Sequence, residues 1–312
     1  MNKKFAIGAD IGGSHISSAL IDLEAGMIIT GSNASREVNS KGPADEILSV
    51  WADTLARSMA GVDHERFAGI GFAMPGPFNY EMGIGLFIPE VMKYENLYGV
   101  NVATRLKNML RLDSNCSLRF MNDATSFAVG ESWMGKARGY DRSVCITFGT
   151  GFGSAFIDEG IPVLDREDVP GNGCFWHLPF KDGIADDSFS TRWFVNEYAA
   201  KSGKRLSGVK EIAGLADVDP AVGEIFEEFG KNVGGFIAPW LERFSSEILI
   251  IGGSISGAYN IFGKYLENSL KNRNLHIQIS VSQLTENAAL LGSARLLEEN
   301  FWQQVKPLLN QM

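Results

Sequence analysis

Twice in this chain an apolar strand enters a glycine-rich reversal and leaves it as a second strand ending in Ile-Asp. The first copy is FAIGADIGGSHISSALID from Phe5, and the second is VCITFGTGFGSAFID from Val144. A strand that returns as a strand excludes two common phosphate loops. The Rossmann and Walker A loops both lead from a strand into a helix whose N-terminus helps hold the phosphate. Neither glycine turn here is followed by helical periodicity. GTGFG at 149–153 stops short of the third glycine of G-x-G-x-x-G, and residues 8–14 lack a Gly-Lys-Ser/Thr ending. Two such hairpins, one in each half, read as an internal duplication. Their backbone N–H groups have no Cβ to keep a phosphate oxygen away. An ordinary hairpin turn is the other reading.

The length agrees with a duplicated chain, since 312 residues suggest two domains at about 150 each. After the first hairpin, MIITGS reads as a third strand, and a helix follows over roughly 43–60 with Ile47, Leu48, Trp51, Leu55 and Met59 on one stripe. The strand FAGIGFAM then meets the breaker Pro75-Gly76-Pro77, VNVATRLKNML is amphipathic, and SLRFM is a short strand leading into a helix from Asn122-Asp123. The second half repeats this order: helices over about 190–201 and 220–241, the strand EILIIGG, a helix near 259–270, the strand HIQISV and a long terminal helix.

Composition narrows the partners. A net charge of −9, with 28 basic against 37 acidic residues, leaves no basic stripe for nucleic acid. No run of 18 apolar residues predicts a membrane span, and the opening apolar run, ended by Asp10, is too short for a signal peptide. Three widely spaced cysteines form neither a disulfide framework nor a four-cysteine metal site. A cytoplasmic protein with no nucleic-acid and no membrane partner is expected.

Several further pieces carry chemistry. In FMNDATSFAVGE, Asn122-Asp123 stands at a strand-to-helix junction, where Asn and Asp cap free N–H groups. A cap is also a rigid mount for a general base. GFAMPGP ends a strand in a turn suited to a pocket wall. ILIIGGSISGA brings a buried strand into Gly252-Gly253 and then a helix, either a plain turn or a flat backbone for a nucleoside to lie against.

The order DIGGS, GFAMPGP, Asn-Asp at a helix start, GTGFG and late IIGGSIS resembles the ROK (repressor, open reading frame, kinase) family of sugar kinases. The resemblance runs from residue 4 to the terminal helix and includes YENLYGVNVATRLK. It implies an α/β, two-domain ribonuclease-H-like or actin-like ATPase fold, a duplicated βββαβα unit with its active site in the interdomain cleft. The small N-terminal domain is then 1–118 plus the terminal helix at about 290–312, and the large one 119–289. The resemblance implies ATP and Mg²⁺ as cofactors. Asp10 would hold the metal; Gly12, Gly13 and Ser14, with Gly149, Thr150, Gly151 and Gly153, would contact phosphates; Gly252 and Gly253 would lie by adenosine. On the sugar side it implies Gly76, Asn122 and Asp123, with Asp123 as general base. A homodimer or higher homo-oligomer is implied as well.

The departures lie on the sugar side. The family's G-E-x-G-H reads Gly173-Cys174-Phe175-Trp176-His177 here: Cys174 replaces the glutamate and Trp176 the second glycine, while the histidine is kept, as a sugar contact or a packed side chain. The cysteine cluster that should follow is replaced by KDGIADDSFSTRW, so zinc is not expected. Asp186 and Glu90 fall near family sugar-binding positions. The expected reaction is ATP-dependent phosphorylation of a hexose at the 6-hydroxyl, glucose by default. The alternatives are an N-acetylated hexosamine such as N-acetylmannosamine or N-acetylglucosamine as acceptor, or a non-catalytic sugar-sensing regulator. An ATPase of the actin/Hsp70 branch is disfavoured by the PGP turn and the Asn122-Asp123 helix start.

Overall fold

The computed structural model describes residues 3–88 and 93–312. Glu90 lies outside them. In chain order the elements are β1 (Phe5–Ile11), β2 (His15–Asp22), β3 (Met27–Ile28), β4 (Ala34–Glu37), α1 (Ala44–Ser58), β5 (Phe67–Met74), β6 (Phe78–Asn79), β7 (Ile84–Gly85), α2 (Val102–Met109), β8 (Ser117–Asn122) and α3 (Asp123–Met134). Then come β9 (Arg142–Phe148), β10 (Phe152–Asp158), β11 (Ile161–Val163), β12 (Pro179–Phe180), β13 (Gly183–Ile184), α4 (Ala185–Ser188), α5 (Thr191–Ser202), α6 (Val209–Ala213) and α7 (Pro220–Arg243). Last are β14 (Ile248–Gly252), α8 (Tyr259–Lys271), β15 (Gln278–Val281), α9 (Asn287–Arg295) and α10 (Glu299–Val305).

The chain divides into two compact units. The first comprises residues 1–138, 160–162 and 286–312, and the second 139–159 and 163–285. In the first, the sheet order is β3-β2-β1-β5-β8, with β4 also on β2. β1 and β2 are antiparallel, while β5 and β8 run parallel to β1. The second sheet repeats this order as β11-β10-β9-β14-β15, again an antiparallel hairpin followed by parallel strands. The duplication read from the two glycine hairpins is therefore a duplication of topology.

α9 is built into the first unit by glycines. A Cβ on Gly8 of β1, Gly71 of β5 or Gly130 of α3 would lie 2.0, 1.8 or 1.9 Å from a carbonyl oxygen of Leu290, Ser293 or Ala288. Only a bare backbone lets sheet and helices approach this closely. The second unit is instead packed with aromatic rings. Phe148 and Phe152, on either side of the second glycine loop, stack at 5.2 Å, and Phe175, Phe189 and Phe229 continue the cluster.

Two expected elements differ. MIITGS is strand only at Met27–Ile28, because Gly31 turns the chain at φ +81°, and the unforeseen β4 then pairs with β2. The long terminal helix is broken after α9. Arg119 of β8 donates to the Leu296 carbonyl at 2.6 Å, pairs with Glu299 and stacks on Trp302, so that a sheet residue caps the helix end.

Candidate functional site

The C-terminal ends of the parallel strands gather the first unit's chemistry. Asp10, next to last in β1, is opposite Ala73 of β5, and Met74 is opposite Asn122 of β8. In open α/β sheets this edge is where ligands bind. Asn122 caps α3, its side-chain oxygen accepting the Thr125 N–H at 3.1 Å. Its amide donates to the Tyr80 hydroxyl at 3.4 Å, and that hydroxyl donates to the Met74 carbonyl at 3.1 Å. A Cβ on Gly76 would lie 3.5 Å from the same hydroxyl, so the Pro75-Gly76-Pro77 turn passes beside the group that Asn122 contacts. Asp123 opens α3, and its Oδ1 accepts the Ala124 N–H at 2.8 Å.

The two glycine reversals are built alike, with three residues between the strands each time: Gly12-Gly13-Ser14 and Gly149-Thr150-Gly151. Gly12 N–H donates to the His15 carbonyl at 2.9 Å, and Gly149 N–H to the Gly151 carbonyl at 3.0 Å. The N–H groups of Gly13, Ser14, Thr150 and Gly151 make no hydrogen bond among the described residues. Pairs of outward backbone donors of this kind suit an anion. An open hollow lined by Ser14, His15, Glu37, Val38 and Asn39 adjoins the first turn. Buried Tyr94, with its ring against Trp51, donates its hydroxyl to the Gly12 carbonyl at 2.6 Å.

In the second unit, Gly153 pairs with Thr147 across the hairpin, and Gly252 is opposite Thr147 in β14. Gly253 has φ +79°, and a Cβ there would meet the Phe148 carbonyl at 2.3 Å, so the Gly252-Gly253 turn rests on the strand that feeds the glycine loop. Asp186 also reaches this loop. Its Oδ1 accepts the Phe152 N–H at 2.7 Å, and its Oδ2 pairs with Arg192 at 3.1 Å. His177 has its Nδ1 3.7 Å from the Cys174 sulfur. Burial pushes the Cys174 thiol up to about 11, so the free side chain is a protonated thiol.

Asp10 fits a cation held together with a nucleotide. Burial above all, then the nearby Asp123 and Glu286 carboxylates, push its carboxyl up to about 7. A divalent ion would offset that repulsion. No group of three or more metal-ligating side chains occurs among the described residues. Mg²⁺ needs none, since it is usually held by one or two carboxylates and substrate phosphates. At the position in β9 matching Asp10 stands Thr147, so only the first repeat places a carboxylate there.

A model of the ROK family matches residues 6–171, more than half of the chain. The chain belongs to the ROK family. Among curated ROK-like relatives, a glucokinase of Thermotoga maritima is 26% identical, with 96% of this chain and 99% of that one covered. An N-acetyl-D-glucosamine kinase of Pectobacterium carotovorum is 24% identical, covering 86% and 90%. Among solved structures, a ROK glucokinase of Streptomyces griseus, crystallised with glucose and AMPPNP, aligns with a TM-score of 0.74 at 23% identity over 94% of this chain and 98% of that one. The fold is thus the α/β actin-like ATPase fold of ROK proteins.

Sequence reading did not single out Tyr80, Tyr94, Arg192 or Glu286. Tyr94 stood inside YENLYG, a stretch that carried the family resemblance. Glu286 precedes α9 as Asn122 precedes α3, so the duplication itself pointed to it. Tyr80 and Arg192 left no signal although their partners Met74 and Asp186 are each six residues away, because a bond across an irregular turn follows no strand or helix period.

Proposed function

We propose that this chain is a sugar kinase that transfers the γ-phosphate of ATP to a hexose hydroxyl, with Asp123 as general base. The carrying observation is the Asn122-Asp123 pair at the head of α3, at the same sheet edge as Asp10. Membership of the ROK family and likeness to named sugar kinases support the reading.

Asn122 orients a sugar hydroxyl while its own cap bond keeps it in place. The Ala124 N–H holds one oxygen of Asp123, and the other takes the hydroxyl proton as the oxygen attacks phosphorus. A positioned base contributes about 10²–10⁴-fold. Gly13, Ser14, Thr150 and Gly151 supply their unbonded backbone N–H groups to phosphate oxygens, Gly12, Gly149 and Gly153 leave bare backbone beside them for close approach, and Gly252-Gly253 flanks the adenosine. Asp10 holds Mg²⁺, which supplies charge neutralisation on the phosphates.

The acceptor is a hexose with glucose first and the 6-hydroxyl as nucleophile. The Cys174 and Trp176 replacements alter the wall beside His177, so N-acetylglucosamine and N-acetylmannosamine belong in the same assay. Coupled ADP release over glucose, mannose and both N-acetylhexosamines tests the proposal. Turnover of at least one sugar, lost in Asp123→Asn, is expected. No turnover of any, or full activity in the variant, overturns it.

A further inference from the structure

We infer that Asp186 and Arg192 are positioning residues that hold the 149–153 loop for the nucleotide, rather than contacts for the sugar. This rests on the reading of that loop as a phosphate site. One short segment grips the loop at both ends. Thr191 donates its N–H and its Oγ1 hydroxyl to the Gly149 carbonyl, at 2.8 and 2.9 Å. Asp186 takes the Phe152 N–H at 2.7 Å. Between those clamps lie the outward N–H groups of Thr150 and Gly151.

The carboxylate is engaged on both oxygens. Oδ1 faces the loop so closely that a Cβ on Gly151 would lie 2.8 Å away, and Oδ2 is paired with Arg192 at 3.1 Å. Meanwhile the Asp186 N–H donates to the Trp176 carbonyl at 3.0 Å. Asp186 therefore ties the GCFWH segment to the glycine loop, with the side chain serving the loop. Arg192 is half exposed, so its pairing orients the carboxylate more than it stabilises the fold. An anion bound between the clamps needs its donors prearranged, and releasing one clamp weakens binding of that anion alone.

The test is steady-state kinetics joined to amide hydrogen exchange. Asp186→Ala raises KM for ATP about tenfold, the worth of a charge-assisted hydrogen bond, while KM for the sugar stays within about twofold. Asp186→Asn keeps an acceptor for Phe152 and restores most of the affinity. Arg192→Gln raises KM for ATP about threefold. Exchange in the 149–153 peptide speeds up in Asp186→Ala and slows in the wild type with a non-hydrolysable ATP analogue. If the analogue does not slow it, the phosphate reading of the loop falls, and this inference with it. If it does, yet Asp186→Ala and Arg192→Gln leave KM for ATP unchanged or raise only that for sugar, the inference alone falls. Should Asp186→Ala not fold, Arg192→Gln decides by the same criterion.

Discussion

Gly130 of α3 and Gly292 of α9 occupy reciprocal positions. A Cβ on Gly130 would lie 1.9 Å from the Ala288 carbonyl oxygen, and one on Gly292 1.8 Å from that of Ser126. Each glycine follows, by one helical turn, the residue whose carbonyl the opposing glycine meets. The contact joins the helix that carries Asp123 to a helix from the far end of the chain.

Gly130→Ala and Gly292→Ala should each lower stability by about 2 kcal/mol, since overpacking against backbone outweighs the helix propensity gained. Gly223→Ala in α7, where nothing lies within 4 Å, is the control and should gain about 0.5–1 kcal/mol. Urea melts of the three variants check this. Equal stability in all three would show that the α3–α9 contact yields easily.

Asp123→Asn should reduce kcat about 10³-fold while leaving the dissociation constants for ATP and sugar within a few-fold. The amide still accepts from Ala124 but takes no proton. Calorimetry alongside the coupled assay separates the two effects, and a loss of binding in place of kcat would make Asp123 a ligand rather than a base.

Much of this was legible because the two hairpins are local. Strand, three-residue reversal and strand lie within single stretches, and Asn122-Asp123 sits at its junction by capping chemistry that four residues suffice to specify. What escaped depends on distant partners. The break before α10 is imposed by Arg119, 177 positions away from Leu296, while the 3.6-residue pattern of Phe301, Val305 and Leu309 reads as one helix. Asp186 matched a sugar-binding position by spacing, but its partner Phe152 is 34 residues away. Spacing along one segment carries no information about which oxygen is already engaged.

Asp10 gives the metal-free protein a pH dependence of definite sign. The folded carboxyl titrates at about 7 against an ordinary 3.8, so between those values the folded state binds more protons than the unfolded. Its stabilising contribution is complete below about pH 4 and is lost as pH rises through 7. Asp10→Asn should flatten that profile and be more stable than wild type by up to about 4 kcal/mol at pH 8 without metal. Mg²⁺ with ATP should narrow the difference by restoring the wild type alone. Denaturant midpoints at pH 5 and 8 decide it, and a flat wild-type profile would remove the argument that Asp10 awaits a cation.

Tyr94→Phe tests whether the first glycine turn needs its restraint. The hydroxyl donates to the Gly12 carbonyl at 2.6 Å from a ring packed on Trp51, and the backbone N–H of Tyr94 reaches the Ser40 carbonyl at 2.9 Å. Phenylalanine keeps the packing and the backbone bond but leaves the Gly12 carbonyl without that donor. The loss should be about 1 kcal/mol in stability. It should also raise KM for ATP about threefold, because Gly13 and Ser14 present their N–H groups from the turn that this carbonyl anchors. Sugar KM should hold. An unchanged KM for ATP with the stability loss present would assign Tyr94 to packing of the β1–β2 hairpin and leave the turn's geometry to its ladder bonds alone.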